Sequence, residues 1–182
     1  MKTSKSFSKM NKDIVSDVYS ILNSELNSLG VNEIIYVHGG AVMCELGARE
    51  FTRDIDAYYK DREIIERATR NIVGRLGKSY DVINDDIRPF LSSQGAYLTH
   101  NSFSNLEVKY ATEEYLFALK CNSCRTDSND IRDLIFLVDK LEVKDHESAE
   151  EIIGRFFTLS TMNVLYKDIL EDIWSGTAQY YL

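Results

Sequence analysis

The sequence predicts an α+β fold: a mixed sheet with flanking helices over residues 1–111, followed by an all-helical region over 112–182. Three observations predict it. Short β-branched and aromatic runs alternate with segments of helical periodicity as far as residue 111. Beyond residue 112 the apolar residues recur only at helical spacing. No Pro- or Gly-rich linker separates the two parts, so the helical region is expected to pack on the core.

The elements follow in order. Residues 1–12 are polar and rich in Ser and Lys, as a frayed terminus is. Ile14, Val18, Ile21, Leu22 and Leu29 recur at helical spacing over 11–29, and Gly30 follows as a stop. "EIIYV" (33–37) suits a buried strand. "AVMCELGA" (41–48) reads as a short helix entered through Gly39 and Gly40, and "RDIDAYY" (53–59) alternates as a second strand. Ile64, Ile65, Ala68, Ile72 and Leu76 mark one face of an amphipathic helix over 62–77. No periodicity settles the segment around Pro89. "GAYLTH" (95–100) and "NLEVKY" (105–110) read as two more strands, joined as a hairpin through "NSFSN". Helices are then expected over 112–124, 129–142, 148–160 and 163–174, the third opened by a capping box of Ser148 and Glu151.

Composition narrows the function classes. A chain of 182 residues, 44% hydrophobic and 27% charged, has the make-up of a globular protein long enough to bury a core. No apolar run reaches the roughly 18–20 residues of a membrane span, and the polar start has no apolar stretch behind its lysines. The cytoplasm is therefore the expected location, with no membrane partner. Cys121 and Cys124 form a lone C-x-x-C without nearby histidines, which favours packing over zinc binding. The net charge of -8 argues against a broad, non-specific nucleic-acid surface, because phosphate binding needs Lys and Arg, but it leaves room for a local basic pocket.

The chemistry is concentrated in "YVHGGAVMCELGAREFTRDIDAYY" (36–59). Glycine has no side chain to hold a ligand away, so a strand ending in Gly39-Gly40 and leading into a helix can bring backbone N–H groups to a phosphate. Asp54 and Asp56, two apart on a strand, project from one face about 6–7 Å apart along the chain. The pair concentrates negative charge that a divalent cation would offset. Hard oxygen ligands beside a phosphate-binding turn are what Mg²⁺-assisted phosphoryl chemistry requires. Taken singly, Gly-Gly is what many turns use and Asp-x-Asp is what many solvated strands show. The two together, with thirteen residues between them, point to a site.

That combination of an apolar strand, Gly39-Gly40, a short helix and Asp54-Ile55-Asp56 resembles the signature of the nucleotidyltransferase superfamily with the polymerase-beta-like fold, at the long end of its spacing. "HGGAVMCELGAREFTRDIDAYY" is similar more closely to the minimal nucleotidyltransferases of the AbiEii type, the toxins of abortive-infection toxin–antitoxin pairs, and to their nucleotidyltransferase-like relatives. "LFALKCNSCRTDSNDIRDLIFL" is similar to their second signature, through Lys120, Arg125, Asp130, Asp133 and Leu134. The two signatures cover residues 33–140 in the right order.

The resemblance implies a polymerase-beta-like core followed by a C-terminal helical bundle. It implies transfer of a nucleoside monophosphate from an NTP to an acceptor hydroxyl. Asp54 and Asp56 would hold one or two Mg²⁺ ions, with Mn²⁺ as a substitute. A third carboxylate on a later strand would complete the metal site and act as general base, and Glu107, on a predicted strand with Lys109 on the same face, is the candidate. Gly39 and Gly40 would admit the triphosphate, and Lys120, with Arg49 or Arg53, would supply positive charge to it. RNA or tRNA is the implied acceptor, in a toxin opposed by a cognate antitoxin. A small-molecule, antibiotic-type transferase is the alternative, although Ala41 and Val42 stand where such relatives carry tryptophan. A catalytically silent nucleotide-binding member is a further one.

Structural roles compete for several of these residues. Glu107 and Lys109 could line a solvated strand, Arg53 could pair with the adjacent acids, and Lys120 could snorkel from its helix. Arg125, Asp130 and Asp133 suit an ion-pair network between two helices as well as a substrate contact. Asp81, Asp85 and Asp86 are weaker third acids, because their segment lacks strand alternation. His38 is expected to be a satisfied histidine at a strand end, while His100 and His146 carry no pattern. Tyr58, Tyr59 and the terminal "QYYL" are expected in the core or an interface.

Overall fold

The five strands are β1 (Glu33–Val37), β2 (Ile55–Tyr58), β3 (Ile83–Asn84), β4 (Tyr97–Ser102) and β5 (Leu106–Ala111); buried and half-buried side chains alternate along β2 and most of β5, whereas β4 is half-buried to exposed throughout. They belong to a computed structural model that describes residues 9–76, 82–123, 128–162 and 164–178. Asp81, Cys124, Arg125, the side chain of Leu76 and the terminal "QYYL" lie outside the described residues. The strands form one mixed sheet in the order β3-β2-β1-β5-β4. With seven α-helices among the described residues, the class is α+β. The helices are α1 (Lys12–Leu29), α2 (Gly39–Glu45), α3 (Arg62–Leu76), α4 (Glu113–Ser123), α5 (Ser128–Lys140), α6 (His146–Gly154) and α7 (Leu165–Trp174). None of these is long and apolar enough to cross a membrane.

The chain divides into two compact units: the described residues up to Arg88 with Tyr97–Tyr110, and Pro89–Ala96 with the described residues from Ala111 onward. In the first unit β1 is central, antiparallel to β2 and parallel to β5. Ile35, Val37, Ile55, Ala57 and Val108 are 0% exposed and share one face, as the period of two requires. Helix α1 covers that face through Tyr19, whose hydroxyl shares a hydrogen bond of 3.2 Å with that of Tyr110 on β5. Asn11 caps α1 by accepting from the Ile14 N–H at 3.0 Å, and Gly30 ends it in the left-handed conformation at φ 68°. Helix α3 packs beside α1, and the buried Glu25 carboxylate accepts from Asn71 Nδ2 at 2.7 Å between them. The other face of the sheet carries Ile34, Tyr36, Asp56, Tyr58, Glu107 and Lys109.

In the second unit α4 packs against α5 and α6. Helix α4 buries Tyr115, Leu116, Phe117, Ala118, Leu119 and Cys121, so it is apolar on nearly every side. Pro89–Ala96 joins this unit because Ser92 binds it twice: its N–H donates to the Tyr115 hydroxyl at 2.9 Å, and its hydroxyl donates to the Phe156 carbonyl. Helix α6 starts earlier than expected. Asp145 is its N-cap and exchanges hydrogen bonds with Ser148 in a capping box, so Ser148 is the third residue of the helix and not its cap. The helix ends at Gly154, and Leu159–Thr161 forms a separate 3₁₀ turn.

Because Ile35 is wholly buried on the central strand, Ile35→Ala is expected to lower the unfolding free energy by about 3 kcal/mol, read as a lower midpoint in urea.

Candidate functional site

Strand β1 ends at Val37, and the next residues turn directly into a helix that includes both glycines. It starts two residues before Ala41, and Gly39 at its head takes φ 59°, a left-handed backbone that glycine adopts without strain. The antiparallel ladder runs one step past β1: the His38 N–H donates to the Asp56 carbonyl at 2.9 Å. This sets Asp56 directly across from the turn.

The glycines and the acids meet there. A Cβ on Gly39 would stand 2.6 Å from Asp56 Oδ2, and one on Gly40 would stand 2.3 Å from Thr52 Oγ1. Both distances lie inside van der Waals contact, so the volume that two absent side chains leave is filled by the Asp56 carboxylate and the Thr52 hydroxyl. Thr52 in turn donates to the Asp54 carbonyl at 3.0 Å, and its backbone pairs with Met10 through bonds of 2.7 and 2.8 Å. Arg49 belongs to the same cluster, since its Nη1 would lie 3.3 Å from a Cβ on Gly40. Arg53 is exposed.

Strand β2 is shorter than the expected 53–59, and Asp54 immediately precedes it. Asp54 and Asp56 keep the same parity and are both half-buried. The neighbouring strand β3, only two residues long, pairs parallel to β2 with Asp56 abreast of Asn84. Asn84 Nδ2 lies 3.4 Å from Asp54 Oδ2. Sequence reasoning missed this strand because two residues cannot show an alternation. A cleft of about 420 Å³ opens beside it, lined by Asp54, Asn84, Asp86, Arg62 and Arg70 among others. Asp85 is structural: it is 8% exposed and accepts from Arg88 Nε at 2.9 Å, with Arg62 at 3.6 Å. Arg88 also donates to the Tyr59 carbonyl at 2.9 Å and lies 4.7 Å from the centre of the Tyr58 ring.

Glu107 is not brought to the pair. It is abreast of Ile34 on β1, whereas Asp56 faces His38, four residues further along the same strand. At the usual rise that offset is about 13 Å, with a further two strand spacings across the sheet. Thr99 Oγ1 donates to Glu107 at 3.0 Å and Lys109 stands 3.5 Å from it, so the carboxylate belongs to a polar cluster of β4 and β5. Among the described residues, no group of three or more His, Cys, Asp or Glu side chains is placed to hold a metal ion.

Lys120 lies in the second unit, where its ammonium pairs with Asp130 and, at 2.8 Å, with the wholly buried Asp133. These are the partners of an ion-pair network between α4 and α5. His38 is 0% exposed and its Nε2 shares a hydrogen bond of 3.0 Å with the Tyr97 hydroxyl. Burial pushes its pKa down from 6.5 to about 4, against the opposing effect of hydrogen bonds at the Tyr36 and Asp56 backbone. Tyr36 forms a bridge between Tyr58 and Tyr97, at ring distances of 5.9 and 4.8 Å.

No protein-family model, no curated protein and no solved structure matches this chain.

Two outcomes follow from the geometry. Gly39→Ala, which adds a Cβ in a left-handed backbone against a carboxylate, is expected to cost at least about 1–2 kcal/mol, measured by urea unfolding. His38 is neutral in the fold to about pH 4, while the unfolded chain takes up its proton near pH 6.5. Its contribution to stability is therefore complete above pH 6.5 and falls as pH drops toward 4, by about 3 kcal/mol in all. Subtracting the pH profile of His38→Gln from that of the wild type should isolate this slope.

Proposed function

We propose that this chain is a Mg²⁺-dependent nucleotidyltransferase that moves a nucleoside monophosphate from an NTP to an acceptor hydroxyl. The observation that carries this reading is the packing of the Asp56 carboxylate against Gly39, with Asp54 close by on the same parity. It joins the two halves of the sequence signature in one place.

The donor chemistry fits a divalent ion. Asp54 and Asp56 are hard oxygen donors, and they are the residues that would hold it. A bound Mg²⁺ would offset the charge of the triphosphate and of the leaving pyrophosphate. The chain's own groups do the remaining work. Gly39 leaves room for the Asp56 carboxylate and the Thr52 hydroxyl holds the Asp54 backbone carbonyl, which sets the stretch that carries both acids before reaction. Arg49, whose Nη1 lies against Gly40, would supply positive charge suited to a phosphate oxygen. His38 stays neutral at physiological pH, so it adds no competing charge beside Asp56. Glu107 is given no part in proton transfer, because the register keeps it from the pair.

A second reading concerns the acceptor. The resemblance points to RNA or tRNA, within a toxin–antitoxin pair. The net charge of -8 argues against a broad RNA-binding surface, which suits a small hydroxylated acceptor.

Incubation with each α-³²P-NTP and Mg²⁺, in the presence of total RNA or a small-molecule extract, tests both. Labelled product that falls at least a thousandfold in Asp56→Ala is the expected result, and the labelled fraction identifies the acceptor class. Absence of label with every NTP and both acceptor pools would refute the transferase.

A further inference from the structure

We propose that Asn84 is a positioning residue for Asp54, and that strand β3 supplies the third side chain of the acidic site. The reaction it serves rests on the nucleotidyltransferase reading; the contact itself does not.

The strand register carries the argument. Parallel pairing sets Asn84 abreast of Asp56, so the two side chains project from the same face, the face whose parity Asp54 also shares. Asn84 Nδ2 then reaches Asp54 Oδ2 at 3.4 Å. The amide has a defined orientation, because its oxygen is used elsewhere: Asn84 Oδ1 accepts from the Asp86 N–H at 3.0 Å. An Asn oxygen committed to a backbone donor leaves the NH₂ group as the face turned toward the carboxylate. The residue that follows is anchored as well, since Asp85 is held by Arg88 and Arg62. The chain just after the one functional side chain of the strand is thus fixed.

The choice of Asn matters chemically. A neutral donor on one carboxylate oxygen limits its rotation without adding a charge of its own. Lys or Arg at position 84 would hold Asp54 by neutralising it, and Asp would repel it. Two strands away on the same face, Glu107 has the charge for a third ligand but not the position. Asn84 has the position without the charge, which makes it a residue that acts through Asp54 and not a metal ligand itself.

Two measurements on the full chain decide the matter. The first is Mn²⁺ affinity, by electron paramagnetic resonance, of the wild type, Asp54→Ala, Asn84→Ala and Asn84→Leu, the last retaining the bulk of the side chain. Asn84→Ala and Asn84→Leu are each expected to weaken Mn²⁺ binding about tenfold with melting temperatures close to wild type in the absence of metal. Wild-type affinity in both Asn84 variants would overturn the proposal. The second is the side-chain amide resonance of Asn84 by ¹⁵N NMR, which Asp54→Ala should shift. If the wild type binds no Mn²⁺, the transferase reading fails, and the resonance alone judges the contact: a shift supports positioning, and an unmoved resonance overturns it.

Discussion

The candidate site depends on how closely the Asp56 carboxylate approaches the backbone at Gly39. A Cβ at that position would come within 2.6 Å of a carboxylate oxygen, so any other residue must displace either the turn or the acid. The backbone bond from His38 to Asp56 fixes the approach at its base. Thr52 repeats the device one residue along, filling the space at Gly40 and tying down the carbonyl of Asp54. Glycines commonly make room for a ligand; these two make room for the chain's own acidic strand, and so hold a concentrated negative charge at a defined place.

Around that place the charges are arranged by burial. His38 is buried deeply enough to remain neutral, which removes a cation that would otherwise screen Asp56. Asp85 is nearly as buried as His38 but is compensated by Arg88 and Arg62, as an ionised carboxyl at that depth must be. The same rule governs the second unit, where the buried Asp133 is matched by Lys120. Ion pairs of this kind contribute order more than net stability, since desolvation offsets much of the attraction. In the first unit the order falls on β3, and through it on Asn84.

Much of the fold was legible in the chain. The four longer strands and the order of the helices followed from alternation, periodicity and the stop at Gly30, because each of those elements repeats a pattern often enough to be seen. What was not legible is equally physical. The capping box of α6 was displaced by three residues, because Asp145 and Ser148 satisfy the same local rule as Ser148 and Glu151, and only the backbone conformation chooses between them. Pro89–Ala96 carries no periodic signal; its place in the helical unit is decided by two hydrogen bonds from Ser92.

The candidate site divides in the same way. Gly39, Gly40, Asp54 and Asp56 can be grouped as a candidate site from the chain alone, since residue type and spacing are linear quantities. Tertiary structure decided which partners they have. Strand register is a property of two segments at once: it moved Glu107 about 13 Å along the sheet from the position its residue type suggested, and it brought Asn84 abreast of Asp56 from a strand too short to recognise. A side chain's charge can be read from its letter, but its distance from another side chain depends on which strands pair, and pairing is settled only when the sheet closes on its core.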